Sequence, residues 1–524
     1  MSYTKTIDTD VVVLGGAGSG LCAALRAAEN GAKVILVEKQ KRLGGSTVLA
    51  AGFFGVGSPA QMRQGVFDSP DDCYREVMQL LYWNVDARLV RNWMQQSGES
   101  IRWIEEKGVI FDQVVPFQAT GNYAKATYHV SNGSKQRTGM AIYKKLEEHI
   151  YANGNIEVFL NTRATSLVKG ENNDATGVIA TRKHDDGAED EILINAKSVV
   201  IATGSISGNS QLIERFFGTS YDDIQIMARL PHNQGEGLMM AEEFGAKIGQ
   251  MGVLYIGPHN HFHGADGIIG AVIRRPESLK VNHLGERFAD ESLWHCSEFG
   301  WMMSTAINHQ YNHMSWCIFD QACMDKMVKD NTVYGYEEFL HAMHTLPKTR
   351  HIKHDMSMAA DKLGGTDRSA DQGIWLENIY NGVDREVKGN RGRVCNTIGE
   401  LAEYIGCDSQ TLEGSIERYN FYCERKYDND FLKKTEFMLP VSTPPYYIFD
   451  GPGGIDTCVG GIYVNYDLRV LDKTEKPIPG LYAAGVCCSN WLNGGYAYYG
   501  SCLGFSLFSG QSAGINAARF AAQK

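Results

Sequence analysis

The sequence predicts an α/β fold, and three observations carry that prediction. Apolar runs alternate with a helical segment at the start of the chain, a glycine cluster joins the first run to that helix, and two further apolar runs that end in glycine lie far downstream. In chain order, Asp10 to Leu14 reads as a strand, Gly15 to Gly20 as a turn, Leu21 to Asn30 as a helix and Lys33 to Val37 as a second strand, which makes a βαβ unit. The run Ala196 to Gly204 has the same character, and so does Leu481 to Gly485 near the end. Strands so far apart that end alike predict one sheet, of Rossmann-like type, assembled from both ends of the chain. The stretch from Ile269 to Leu439 has a different texture, rich in His, Met, Trp and charged helices such as Thr397 to Tyr404 and Ser409 to Tyr422. It is expected to be an inserted α+β cap, so the domains divide at 1–268, 269–439 and 440–524.

With 524 residues the chain exceeds one typical domain, and 43% hydrophobic against 21% charged residues excludes a disordered protein. The 61 acidic residues outnumber 50 Lys and Arg, a balance that repels a phosphate backbone, so no nucleic-acid partner is expected. Met1 to Asp10 lacks the apolar core of a signal peptide. The uncharged stretch Pro477 to Ala518 is long enough to span a bilayer, but its eight glycines point to buried, closely packed backbone instead, and no membrane span is expected. Twelve cysteines without a CxxC pair fit free thiols in a reducing cytoplasm, with no metal site. His259, His261 and His263 alternate as ligands on one strand face would, but lack a carboxylate or Cys partner in sequence.

Gly15-Gly-Ala-Gly-Ser-Gly20 follows a strand and opens a helix, the context that makes a glycine pattern a dinucleotide fingerprint. Gly15 makes the tight turn, Gly20 lets helix and strand approach, and the pyrophosphate would lie over the helix N-terminus near Gly18, where unpaired N–H groups favour an anion. Ala17 replaces the middle glycine and narrows the pocket by a methyl. Glu38, followed by Lys39, closes the second strand where a carboxylate can accept ribose hydroxyls and would repel a 2′-phosphate. NAD and FAD share this pattern.

Gly44-Gly-Ser-Thr47, with Gly45 and Ser46 inside it, the strand end Ala202-Thr203-Gly204, and Pro479 to Gly485 resemble the FAD-binding framework of the fumarate reductase and succinate dehydrogenase flavoprotein superfamily over essentially the whole chain. The resemblance implies FAD, with its ring between the FAD-binding domain and the cap. Members that bind FAD covalently carry a His just before the Thr of the Gly-Gly segment; Ser46 stands there, which implies non-covalent FAD. Gly235-Glu-Gly237 follows His232-Asn-Gln rather than a strand, so no second dinucleotide fingerprint is read and a separate electron carrier is expected.

Fumarate-type members hold a dicarboxylate with Arg and His. Their Gln-x-His-Pro corresponds to Tyr255-Ile-Gly-Pro258, with Gly257 in place of His, and their Arg-bearing segment to Asn493 to Gly500, which has no cation. The latter resembles the 3-ketosteroid dehydrogenase branch, whose Tyr-x-x-x-Gly is matched by Tyr496 to Gly500, followed by Ser501, Cys502 and Leu503. By that resemblance the Tyr496 hydroxyl and the Gly500 N–H bind a ketone oxygen as it gains enolate character. Asn282 to Ser292 resembles the superfamily's cap segment, and His295, four residues beyond Glu291, stands where other members carry the proton-moving residue. An imidazole titrating near about 6.5 suits that task. Tyr255 and Tyr123 are the next candidates; Tyr498, Tyr499, Cys487 and Cys488 read as packing residues. The expected activity moves hydride between flavin N5 and a carbon β to a carbonyl, introducing or reducing a C=C bond in an apolar, ketosteroid-like substrate. The alternatives are reduction of an unsaturated monocarboxylate, for which Arg274, Arg275 or Arg287 would be the cation, and a non-catalytic dinucleotide-fold or electron-transfer subunit.

Overall fold

The computed structural model describes residues 3–115, 125–131, 137–218, 225–226, 230–256, 273, 275–293, 301–330, 372–492, 498 and 500–524. Its central sheet has eight strands, in the order Arg469–Leu471, Pro477–Ala483, Glu189–Ile201, Lys5–Leu14, Val34–Val37 and Ile156–Phe159, with Thr162–Lys169 and Ala175–Lys183 attached as an antiparallel extension of Glu189–Ile201. The five strands from Pro477–Ala483 to Ile156–Phe159 run parallel, with Leu481 opposite Val199, Val13 opposite Val200, and Val13 opposite Leu36. Both chain ends therefore meet in one sheet, as their apolar runs predict. Val11 to Leu14 and Val34 to Val37 are buried throughout, the continuous apolar pattern of strands covered on both faces.

Two helices cover this sheet back to back. The helix Gly18–Glu29 lies against Ser501–Ala521, and the contact passes through Gly510 and Gly514. A Cβ on either glycine would lie 2.2 Å from a backbone oxygen of the first helix, of Ser19 and of Ala23 respectively. The glycines of the long uncharged stretch thus permit contact between helix backbones. No helix among the described residues is long and apolar enough to cross a membrane.

The inserted segment folds around a four-stranded sheet ordered Leu279–Val281, Trp316–Asp320, Tyr446–Asp450 and Gly392–Cys395, all antiparallel. Helices Ile398–Ile405 and Ser409–Arg425 pack on it, capped at their N-termini by Thr397 and Asp408. Pairing continues past Leu439, since Tyr446–Asp450 is an inner strand of this sheet. Gly454–Ile462 then joins Ile248–Ile256 and Gln225–Ile226 in a separate three-stranded sheet. A last small sheet, Phe53–Phe54, Tyr128–Val130 and Gln113–Val115, stands beside the cavity described next.

Candidate active site

A cavity of about 370 Å³ opens at the C-terminal ends of the parallel strands. Gly15, Ala17, Gly18, Glu38, Lys39, Gly45, Ser46, Thr47, Ala202, Thr203, Gly204 and Leu503 line it, so most of the residues expected to hold the cofactor converge on it, and so does Gly500, expected to contact the substrate. Gly20, Gly44, Gly485 and Ser501 do not, and each has a supporting place instead. A Cβ on Gly20 would lie 1.7 Å from the Gly15 oxygen. Gly44 donates its N–H to Gly16 O at 2.8 Å, Gly485 donates to Ser509 Oγ at 2.9 Å, and the Ser501 hydroxyl donates to Tyr498 O at 2.6 Å.

The turn after the first strand is built as its sequence predicts. Gly15 has φ 104°, where only glycine is unstrained, and its absent Cβ would lie 2.4 Å from the Ala202 oxygen. Ala17, in place of the expected glycine, is extended with φ −93° and ψ −174°, a backbone any residue adopts. Its methyl faces Gly45, where a Cβ would lie 2.8 Å from it. The second glycine segment accommodates what the first adds. Gly18 donates its N–H to Thr47 Oγ1 at 2.8 Å, which locks the two segments together, and the first turn of Gly18–Glu29 carries no acidic residue, as an anion site requires.

Glu38 is buried, with Oε2 accepting from Gly16 N at 2.7 Å and Oε1 from Gln40 N at 2.8 Å. One lone pair on each oxygen remains available for a hydroxyl. Beside it Lys39 pairs with Glu236 at 2.5 Å and donates to the His232 carbonyl, and Arg163 lies 3.8 Å from the same carboxylate. Gly235 has φ 74° and opens the helix Glu236–Phe244, and Gly237 sits against Thr203 and Ile201. Glu236 of the Gly-Glu-Gly motif thus lines this cavity. Sequence reasoning missed His232, Asn233 and Glu236 because no strand precedes them; the motif itself was the available signal.

Two buried polar atoms on this wall, Thr203 Oγ1 and His232 Nε2, have no hydrogen-bond partner among the described residues. Burial first, then the neighbouring Lys39 charge, lowers the His232 pKa and keeps the ring neutral. A glycine turn at a helix N-terminus, a carboxylate at hydroxyl reach and two unmet polar atoms fit a nucleotide cofactor of the FAD type.

At the other end of the cavity the wall is made by Ala50, Ala51, Gly52, Tyr128, Gly500 and Cys502. Gly500, with φ 81°, is the N-cap of Ser501–Ala521, and a Cβ there would lie 2.5 Å from Phe53 Cα. Tyr498 packs as expected, its ring stacked on Phe54 at 4.8 Å. Cys487 and Cys488 are buried beneath the cavity.

His295, Tyr496, Tyr123, Tyr499, Gly257, Arg274 and the three alternating histidines lie outside the described residues. Tyr255 is placed by its backbone only, on Ile248–Ile256 opposite Ile455. The cap motif is described, and it redirects one expectation. Arg287 is clamped by Glu291 at 2.8 Å and by Asp428 at 2.8 Å, with Lys433 3.3 Å from Glu291. Arg275 pairs with Glu277 at 2.9 Å, and all of these side chains are buried. Neither arginine lines the cavity, and both are held by buried carboxylates. Among the described residues no cluster of His, Cys, Asp and Glu is arranged to hold a metal ion.

The fold and cavity define a flavoprotein, and residues 10–503 match the family described as FAD binding domain, to which the chain belongs. It is similar to a vinyl phenol reductase of Lactiplantibacillus plantarum, 27% identical over 100% of this chain and 99% of the relative, and to a urocanate reductase of Eggerthella lenta, 27% identical over 98% and 75%. Among solved structures it resembles the open conformation of a flavocytochrome c3 fumarate reductase, with TM-score 0.67, 25% identity and coverage of 99% of this chain and 79% of the other. It shares its fold with a 3-ketosteroid-Δ4-(5α)-dehydrogenase of Rhodococcus jostii RHA1, with TM-score 0.67, 22% identity and coverage of 99% and 98%. The chain is an FAD-dependent oxidoreductase of the branch that works on carbon–carbon bonds.

Proposed function

We propose that the chain reduces a C=C bond, conjugated with a carbonyl, in an uncharged and mostly apolar substrate. Reduction, rather than its reverse, follows the relatives named as reductases, one of which matches from end to end. The observation that carries the substrate class is the distribution of charge. Among the described residues the basic groups of the cavity, Lys39, Arg163 and His232, gather around Glu236 beside Glu38. The wall at Ala50 to Gly52, Tyr128 and Gly500 carries none, while Arg275 and Arg287 are spent on Glu277, Glu291 and Asp428. A carboxylate taken from water into such a site would lack the charge-assisted partners it needs.

Glu38 would hold the ribose hydroxyls, the N-terminus of Gly18–Glu29 the pyrophosphate, and the Gly500 end the flavin ring. Bound there, FAD supplies two-electron hydride chemistry. The Gly500 N–H and the Tyr496 hydroxyl would orient the carbonyl oxygen and stabilise its enolate character, and His295 would deliver the proton, with Tyr255 next in order. The segment before residue 269 and that after Asp450 would form the FAD-binding domain, and the inserted one, extended past the expected boundary at 439 by the strand Tyr446–Asp450, the cap. Ser46, which accepts from Asn233 Nδ2 at 3.4 Å, stands where a linking histidine would be, so FAD is held without a covalent bond. Electrons would arrive from a separate carrier; the segment Gly235 to Gly237 follows no strand, and its Glu236 lines the FAD cavity.

The test is anaerobic photoreduction of the purified flavoprotein, followed by 4-androstene-3,17-dione, 4-vinylphenol, urocanate or fumarate. Reoxidation by 4-androstene-3,17-dione, whose C=C bond is conjugated with a ketone, is the expected outcome; reoxidation by 4-vinylphenol, which has no carbonyl, and not by the enone overturns the carbonyl requirement. Fumarate turning over as fast as either neutral compound overturns the proposed site. Acid precipitation should leave the yellow chromophore in the supernatant.

A further inference from the structure

Tyr498 precedes Gly500 by two residues and is held at three points. Its carbonyl accepts from the Ser501 hydroxyl at 2.6 Å, its ring stacks on Phe54 at an interplanar angle of 25°, and its hydroxyl donates to Glu76 Oε2. The other oxygen of Glu76 pairs with Lys125 at 2.6 Å. Lys125 and Glu76 are mostly shielded, with side chains 16% and 14% exposed, and Tyr498 is 4% exposed. In such surroundings an ion pair is neither screened by salt nor free to wander. Burial would depress the Lys125 ammonium, but the Glu76 hydrogen bond and the neighbouring negative groups, Glu76 and Asp68 among them, together outweigh it and raise its pKa, so Lys125 stays charged.

The chain of contacts joins three elements beside the cavity wall that holds Tyr128 and Gly500. Glu76 comes from the helix Pro70–Leu80, Lys125 from the run into Tyr128, and Tyr498 from the run into Gly500; Tyr128 and Gly500 both line the cavity. Phe54 completes the ring, since its stacked partner is Tyr498 and its backbone nitrogen would meet a Cβ on Gly500 at 2.6 Å.

We propose that Lys125, Glu76 and Tyr498 are positioning residues, a tether that fixes the Gly500 and Tyr128 walls relative to each other and so sets the geometry in which the substrate double bond is reduced. This rests on the proposed reduction, because Gly500 acts on substrate only there. Misplacement of a donor by about 1 Å costs up to about 100-fold in rate. Removal of the tether should therefore slow the limiting rate while leaving the nucleotide end, and so FAD affinity, as it was.

The experiment uses the holoenzyme and the variants Tyr498→Phe, Lys125→Met and Tyr498→Phe/Lys125→Met, none of which removes a cavity-lining group. Each is photoreduced and mixed with 4-androstene-3,17-dione or 4-vinylphenol, and each is followed by amide hydrogen exchange with FAD bound. The expected result is a fall of about 10- to 100-fold in the limiting reoxidation rate at unchanged FAD stoichiometry, with the double variant no slower than the worse single one. Exchange should quicken in the peptides spanning Thr127 to Val130 and Gly500 to Gly504. A merely structural contribution would lower thermal stability without this split, and the double variant would then add the two losses. Wild-type rates together with unchanged exchange overturn the tether. If the wild-type enzyme is reoxidised by neither compound, the reduction reading fails, and the exchange measurement alone then decides whether the tether holds the two walls.

Discussion

Around the parallel sheet the interior is closed by glycine contacts and holds little buried charge beyond Glu38, whereas the inserted four-stranded sheet encloses Arg287, Glu291, Asp428, Lys433 and Lys280. The first interior is stabilised by area removed from water and by backbone approach, contributions that are spread over many residues. The second depends on a few ions that must each find a partner. Glu291 shows the balance: burial would raise its pKa, but Lys433 and Arg287 outweigh burial and hold the carboxyl down at about 2. Among the described residues Lys280 has no carboxylate within ion-pair distance; its ammonium donates to the Ser278 hydroxyl at 2.9 Å, and burial lowers its pKa. The FAD-binding half should therefore fail by steric contact at a few glycines, and the cap by loss of charge balance.

The largest effect expected of this difference is in the first half. Gly20→Val places a side chain where even a Cβ lies 1.7 Å from the Gly15 oxygen, so bound FAD should be lost altogether, measured as flavin absorbance per protein after gel filtration. Retention of FAD would show that the turn can open, and that backbone contact does not govern this half.

Next, Glu291→Ala should leave Arg287 and Lys433 without their shared carboxylate and cost about 3–5 kcal/mol in denaturant unfolding. The same group sets a pH response. A carboxyl whose folded pKa lies below its unfolded value contributes stability above the unfolded value, and loses it as pH falls through the folded one. The wild-type cap should thus weaken as pH drops from about 4.5 toward about 2. Lys280 acts in the same direction: its depressed folded pKa makes stability rise with pH up to the ordinary lysine value. In Glu291→Ala the acid limb should shrink. The smallest effect belongs to the cap's exposed pair Arg393–Glu403, whose side chains are 44% and 70% exposed. Arg393→Ala should change stability by less than about 1 kcal/mol, separating burial from ion pairing as the cause.

Much of the FAD site was legible in the sequence, because the features that form it are local. Gly15 and Gly20 act within one turn, Ala17 is explained by Gly45 in the next glycine segment, and Glu38 ends the strand that follows the first helix. The cation expectation at Arg275 and Arg287 failed for the opposite reason, since an arginine's availability depends on partners the local pattern does not name. Glu291 and Glu277 are near in sequence, yet nothing in their spacing distinguishes an ion pair from two solvated charges.

The sequence by itself determined what depends on neighbouring residues: runs of apolar residues that must be covered on both faces, glycines where a turn or a close approach excludes Cβ, and a carboxylate at the end of a strand. Only the tertiary structure decided the pairings across long separations. Lys39 meets Glu236 from 197 positions away, Arg287 meets Asp428 from 141, and Tyr498 meets Glu76 from 422. Such pairs form because the parallel sheet and its insertion bring distant segments to one place, and a charged side chain removed from water there is stable only beside the partner that this arrangement supplies.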